Sequence, residues 1–287
     1  MKIKIGTRKS PLALAQTNMV ATALKNKYPD LEIQVVHITT TGDKILNKPL
    51  DKIGGKGVFV TEIERALIDG EIDIAVHSAK DLPMELGNNL EIISVLPRGN
   101  YRDVLVTNKN VKIKNTESFI VGTGSVRRRL SLSKLYDKVK FADIRGNVDT
   151  RLKKLKSGQY NAVVLAMAGL ERLKAIDESE FNFLPFDYNE FLPAPCQGII
   201  AVEGSKGNFA FDILKGINDE NTFISFETER EVLRLLNGDC QTPVGAYSFV
   251  KGNTISLTVT RDWKNIVQGR DEIFNRLQLA KRLVDKL

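Results

Sequence analysis

Five arginines in this chain stand in Gly/Ser/Thr-rich turns rather than along charged helix faces, a placement that suits chemistry with anions. Arg8 lies in GTRKS, the turn after the first strand-like run. Arg127 and Arg128 follow GTGS and open a predicted helix. Arg145 lies in DIRGN, the turn after the next strand, and Arg151 sits early on the helix beyond it. A helix N-terminus favours an anion through its unpaired N–H groups and dipole, and Thr123 and Ser125 add hydroxyl donors there. Turns at the carboxyl ends of parallel strands share one rim, so such residues can converge on one crevice. Guanidinium donates two parallel hydrogen bonds to a planar carboxylate, which makes a polycarboxylate a good ligand for the set. Phosphate fits almost as well, and any one of these arginines taken alone reads as the partner of a surface acid.

A second group is VHSAKDLP, residues 76–83. Asp81 follows a buried strand, beside Lys80 and just after His77 and Ser78, where a carboxylate can act as general base or stabilise a developing cation. The bland reading is an ordinary turn aspartate before Leu-Pro, with His77 a hydrogen-bonding core residue. Lys56 in GGKG (54–57) could help cradle an anion, but no GK[ST] follows, and GTGSVRR lacks the spacing of a dinucleotide fingerprint. Cys240, in NGDCQTPVGAY, has a sulfur that is nucleophilic only as thiolate, and Asp239 beside it disfavours that form. Its neighbours alone therefore favour a small buried hydrophobe, and Cys196 in FLPAPCQG has a still blander surrounding.

The elements that must hold these residues alternate strand and helix. Strand-like KIKIGT (2–7), LEIQVVHIT (31–39) and IDIAVHS (72–78) are separated by helical patterns over 11–28 and 58–70. Residues 40–57, rich in Gly, Lys and Asp, read as a long mobile loop. A second block repeats the grammar, with a strand and turn at 119–125 and again at 138–146, an apolar strand running into a helix at 161–169, and helices at 126–136 and 147–158. FLPAPCQG (191–198) reads as a crossover into the strand GIIAVE (198–203). From about 219 a long helix, strands near 244–250 and 254–260, and a last helix over 271–287 form a small α+β module. Such alternation predicts α/β lobes with mainly parallel sheets.

Composition narrows the function class. The 287 residues suffice for two or three domains. A net charge of +7, 42 Lys and Arg against 35 Asp and Glu, is spread over helix faces and isolated turns rather than clustered as a polyanion surface needs, so no nucleic-acid partner is expected. MKIKIGTRKS offers no apolar signal core, and no apolar run approaches the roughly 20 residues of a membrane span. Two cysteines without a signal point to a reducing, cytoplasmic setting. His37 and His77 lie far from any cysteine pair, so no metal is expected.

Taken together, GTRKSPLALAQ (6–16), GGKGVFVTEIE (54–64), DIAVHSAKDLP (73–83), GTGSVRRR (122–129), RGNVDTRLKKL (145–155) and CQTPVGAY (240–247) resemble the porphobilinogen deaminase (hydroxymethylbilane synthase) family, in the family's order, from the first strand to about residue 260. The resemblance implies three domains. Two are lobes of the type II periplasmic-binding-protein kind with a cleft between them, residues 1–96 with 197–214 and residues 97–196; the third, 215–287, carries the cofactor cysteine. It implies a transferase that deaminates four porphobilinogen molecules and joins them head to tail into hydroxymethylbilane, releasing ammonia. The implied cofactor is a dipyrromethane held by a thioether, with Cys240 at the matching attachment position and Asp81 at that of the catalytic carboxylate. Lys80, Asp81, Thr123, Ser125, Arg127, Arg128, Arg145 and Gly146 match cofactor-binding positions. Arg8, Ser10, Lys56, Arg145, Arg151, Arg172 and Gln197 match substrate-binding ones, and the 40–57 segment matches a mobile lid. A monomer with a small-molecule substrate and no membrane association is the accompanying expectation.

This chain departs from that pattern in four places. Gly124 stands where a hydroxyl residue is common, Cys196 where glycine is usual, and Asp239 where glycine is frequent; the C-terminal module is also shorter than typical. A non-catalytic two-lobed binding protein is the rival of another class, but it would have no use for a cysteine in a third module. A basic nucleic-acid binder is the third option, and would show steep salt dependence.

Overall fold

The computed structural model describes residues 1–44, 60–207, 209–238 and 242–287. In chain order the strands are β1 (Lys2–Thr7), β2 (Glu32–His37), β3 (Ile74–Ser78), β4 (Leu90–Val95), β5 (Asp103–Asn108), β6 (Phe119–Gly122), β7 (Val139–Ala142), β8 (Ala162–Ala166), β9 (Phe181–Pro185), β10 (Ile200–Ser205), β11 (Gly245–Lys251), β12 (Thr254–Thr260) and β13 (Ile266–Glu272). Contacts divide the chain into two units, Met1–Arg98 with Ile199–Glu227 and Gly99–Gly198 with Thr228–Leu287.

Each unit holds a five-stranded sheet, and the two sheets have the same plan. The first runs β2-β1-β3-β10-β4, the second β7-β6-β8-β5-β9. In the first, β1 pairs parallel with β2 and β3, while β10 lies antiparallel to both β3 and β4. In the second, β6 pairs parallel with β7 and β8, while β5 lies antiparallel to β8 and β9. Each antiparallel strand is the first one made after the chain passes from one unit to the other, and so needs no βαβ crossover of its own. This is the α/β architecture expected, one sheet of the same plan in each unit, with a separate sheet β11-β12-β13 near the C-terminus.

Burial follows the apolar pattern. In the first unit Ile3, Ile5, Ile74, Val76 and Val202 pack with Val20 and Leu24 of helix α1 (Pro11–Lys27). In the second, Val104, Val106, Val163 and Leu165 pack with Leu152 and Leu155 of a later helix, Val148–Lys156. Both parallel cores rest on continuous β-branched and leucine runs, as strands covered on both faces require.

Two expectations need correction, and three strands went unread. The last helix does not begin at 271: Ile266–Glu272 is the edge strand β13, and the helix spans Arg276–Val284. IVQGRDE has little apolar face because it pairs with β12 alone and alternates between exposed and half-buried positions. Strands β4, β5 and β9 had no assignment from sequence, since short apolar runs such as LEIISV and DVLVTN carry no decisive period. The stretch read as loop from residue 40 begins with a helical turn, α2 (Thr41–Lys44); the rest of that expectation, including Lys56 and the lid, lies outside the described residues. No helix among the described residues is long and apolar enough to cross a membrane.

Candidate active site

Asp81 ends a single 3-10 turn, Ala79–Asp81, that follows β3 directly. The turn is held from below: Ala79 and Leu82 are buried, Ala79 N–H donates to the Ile199 carbonyl at 3.0 Å, and Leu82 N–H donates to the Ala79 carbonyl at 3.3 Å. Asp81 itself is exposed, and its carboxylate makes no hydrogen bond or ion pair among the described residues. Lys80 is half-buried beside it. Ser78 Oγ accepts from Gln16 Nε2 of α1 at 2.8 Å, and His77 is buried with Nε2 2.9 Å from Glu203 Oε2. Ser10, next to half-buried Arg8, caps α1: its Oγ accepts from Ala13 N–H at 3.3 Å, with Pro11 in the first helical position.

The second unit's turns are built the same way, but their two leading arginines do not stand open. Ser125 caps helix α4 (Val126–Leu135), accepting from Arg128 N–H at 3.4 Å, and buried Thr123 accepts from Ser125 N–H at 3.2 Å. Arg127 and Arg128 are only 5% and 8% exposed. Their guanidinium groups share the fully buried Asp103 at the head of β5. Arg127 Nη2 donates to Oδ2 at 2.8 Å; Arg128 Nε and Nη2 donate to Oδ1 at 3.0 and 2.7 Å. Arg127 Nη1 also donates to the Leu192 carbonyl and Arg128 Nη1 to the Val164 carbonyl, each at 2.8 Å. Burial pushes the Arg127 guanidinium below its ordinary value, against the pull of Asp103. Two guanidiniums over one carboxylate leave a net positive charge, which a bound anion would balance.

Asp103 escaped the sequence reading although a signal existed: an acid heading an apolar run must be paired once buried. Its removal leaves two buried cations facing each other. Asp103→Ala is expected to cost about 3–5 kcal/mol of stability, read as a lowered urea midpoint; an unchanged midpoint would mean the triad adds nothing to the fold.

Arg145 contrasts with this pair. It is half-buried, and its guanidinium has no hydrogen bond or ion pair among the described residues; only its carbonyl is engaged, accepting from Lys154 Nζ at 3.1 Å. The next residue must be glycine: Gly146 has φ of 111°, and a Cβ there would lie 2.5 Å from Thr150 Cγ2. Asn147 then caps helix α5 (Val148–Lys156) through Thr150 N–H at 2.9 Å, and Arg151 Nε donates to the Gly146 carbonyl at 2.9 Å.

Arg172 and Gln197 are tied into their own unit. Arg172 Nη2 donates to the Gly198 carbonyl at 2.5 Å, and burial lowers its pKa to about 10 against the opposing charge of Glu171. Gln197 is fully buried, with Nε2 donating to the Tyr101 carbonyl at 2.8 Å. Gly124 is exposed, and a Cβ there would meet only Asp143 Oδ1 at 4.0 Å, so the missing hydroxyl is not excluded by crowding. Cys196 is 1% exposed at φ of 61°, with its N–H donating to Glu229 Oε2 at 2.6 Å. Cys240 and Asp239 lie outside the described residues. No cluster of metal-ligating side chains occurs among the described residues.

Comparison with known proteins decides what these turns belong to. The family model "Porphobilinogen deaminase, dipyromethane cofactor binding domain" matches residues 3–211, and "Porphobilinogen deaminase, C-terminal domain" matches 223–282. The chain belongs to the porphobilinogen deaminase family. A porphobilinogen deaminase from Acetivibrio thermocellus is 45% identical over 90% of this chain and 87% of its own length. Another from Ruminiclostridium cellulolyticum is 45% identical over 100% of this chain and 97% of its own. Among solved structures, the periplasmic aliphatic sulphonate binding protein SsuA from Escherichia coli aligns at a TM-score of 0.45 and 15% identity, covering 82% of this chain and 75% of that one, too loosely to carry an argument. As a porphobilinogen deaminase family member the chain is a transferase of porphyrin biosynthesis with a dipyrromethane cofactor.

Proposed function

We propose that this transferase deaminates four porphobilinogen molecules in succession and joins them head to tail into hydroxymethylbilane, on a dipyrromethane primer attached through a thioether to Cys240. The observation that carries the reading is Asp81, an exposed carboxylate without a hydrogen-bond or ion-pair partner among the described residues, on a short turn held by buried neighbours. In each cycle the C–N bond of an aminomethyl group breaks and its electron pair leaves with ammonia. The pyrrole nitrogen's lone pair then stabilises the methylene cation left behind. A carboxylate beside the pyrrole N–H offsets that positive charge. A C–C bond forms next at a free pyrrole carbon, and the proton lost there needs an acceptor, which Asp81 supplies. Bound dipyrromethane supplies the first such pyrrole carbon.

Each pyrrole ring carries an acetate and a propionate, so the donors must read carboxylates. The net-positive Arg127–Arg128–Asp103 group and Arg145, whose guanidinium has no partner among the described residues, fit such a cofactor. We assign Lys80, Thr123, Ser125 and Gly146 to the same role, Gly146 by letting the backbone turn at a φ no other residue tolerates well. Arg8, Ser10, Lys56, Arg151, Arg172 and Gln197 are assigned to substrate. For Ser10, Arg172 and Gln197 part of this role is indirect, since each already holds a neighbouring backbone group. Arg145→Gln tests the carboxylate assignment. Losing one charge-assisted pair is expected to raise KM for porphobilinogen on the order of tenfold, or to lower cofactor occupancy, with the fold intact; wild-type KM and full occupancy would remove Arg145 from the site.

A further inference from the structure

A carboxylate on a three-residue turn takes its position from the flanks of that turn. Upstream, His77 of β3 lies with Nε2 2.9 Å from Glu203 Oε2 of β10, the two side chains 7% and 0% exposed. The register pairs Ala201 with His77 and Glu203 with Ala75, so the imidazole and the carboxylate are diagonal neighbours on one face of the strand pair. Downstream, the chain beyond Leu82 returns to helix α3 (Thr61–Ile68), where Gly87 N–H donates to Glu64 Oε1 at 3.0 Å. Burial raises the Glu64 carboxyl above its ordinary value against the hydrogen bond from Gly87, with Glu203 adding to the rise and His77 opposing it. Helix α3 packs against β3 and β10, so the two flanks of Asp81 end on neighbouring carboxylates, Glu203 through His77 and Glu64 through Gly87.

That cluster is poorly explained as a device for stability. Glu203 Oε1 accepts no hydrogen bond among the described residues although the side chain is fully buried. The surrounding core of Ile63, Ala66, Leu67, Ile72 and Ala75 is apolar, and a hydrophobic pair there would be at least as stable. We infer that Glu203, acting through His77, and Glu64, acting through Gly87, are positioning residues that set where the Asp81 carboxylate sits during turnover. The inference rests on the reading of Asp81 as the catalytic carboxylate.

The test uses holoenzyme whose covalent cofactor is verified by intact mass. Glu203→Ala is expected to lower kcat on the order of tenfold with KM for porphobilinogen changed less than threefold, because a displaced catalytic group costs rate rather than binding. Glu203→Gln, which keeps an acceptor oxygen for His77, recovers most of that loss. Should Glu203→Ala fail to fold, Glu64→Ala at the partly exposed edge of the cluster carries the same expectation, with Glu64→Gln as its rescue, since the amide oxygen still accepts from Gly87. Wild-type kcat in the alanine variants, beside an inactive Asp81→Asn, overturns the inference and leaves the assignment of Asp81 standing. Normal turnover by Asp81→Asn overturns both.

Discussion

Asp81→Ala is expected to lower kcat by a factor on the order of 10³ or more while the protein stays folded. The separation of the two effects follows from how the residue is held. Its carboxylate is exposed and makes no bond among the described residues, so the fold loses nothing specific when it goes. Surface substitutions of that kind usually change stability by less than about 0.5 kcal/mol. The reaction loses both an anion opposite a developing cation and a proton acceptor at the joining carbon. Single groups of either type are worth roughly 10² to 10⁴ in rate. Steady-state formation of hydroxymethylbilane beside a thermal melt reads both quantities from one preparation. A melt near that of the unsubstituted protein with turnover within tenfold would take Asp81 out of the chemistry.

Cys240→Ala is the second large effect, expected to abolish cofactor attachment and with it nearly all turnover. Loss of ammonia from an aminomethylpyrrole leaves a soft carbon electrophile, and sulfur captures such a carbon as a stable C–S bond. That capture happens once, so it does not need a standing thiolate, and Asp239 beside Cys240 is no obstacle to it. The competing sulfur is badly placed. Cys196 is 1% exposed and sits in left-handed backbone at φ of 61°, with its N–H fixed on the buried Glu229 carboxylate. That backbone conformation suits glycine better than any side chain, which costs about 1–2 kcal/mol there. Cys196→Ala is accordingly expected to keep both cofactor and activity.

Much of the framework that holds the candidate site was legible because its residues sit at punctuation marks. Ser10 before Pro11, Ser125 after GTG and Asn147 after RG are helix starts by type and spacing, and the arginines around them inherit their places. Asp81 was placed for the same reason, at the end of an apolar strand. What stayed hidden depends on distant partners. Arg127 and Arg128 read as open anion donors until Asp103, more than twenty residues earlier, is brought against them by the pairing of β5 with β8. Glu203 looks like a polar residue out of register in GIIAVE until β10 lays it diagonal to His77. The antiparallel insertion of β5 and β10 into otherwise parallel sheets leaves no periodic trace, because an inserted strand is as apolar as its neighbours. β13 was missed for the opposite reason, an edge strand with almost no apolar face.

The central claim is that Cys240 carries a covalent dipyrromethane, and the intact mass of the denatured protein tests it most directly. Protein made in a host that supplies porphobilinogen should exceed its sequence mass by two linked pyrrole units, keep the excess in Cys196→Ala and lose it in Cys240→Ala. A protein with no excess, or one whose excess survives in Cys240→Ala and vanishes in Cys196→Ala, would contradict the account.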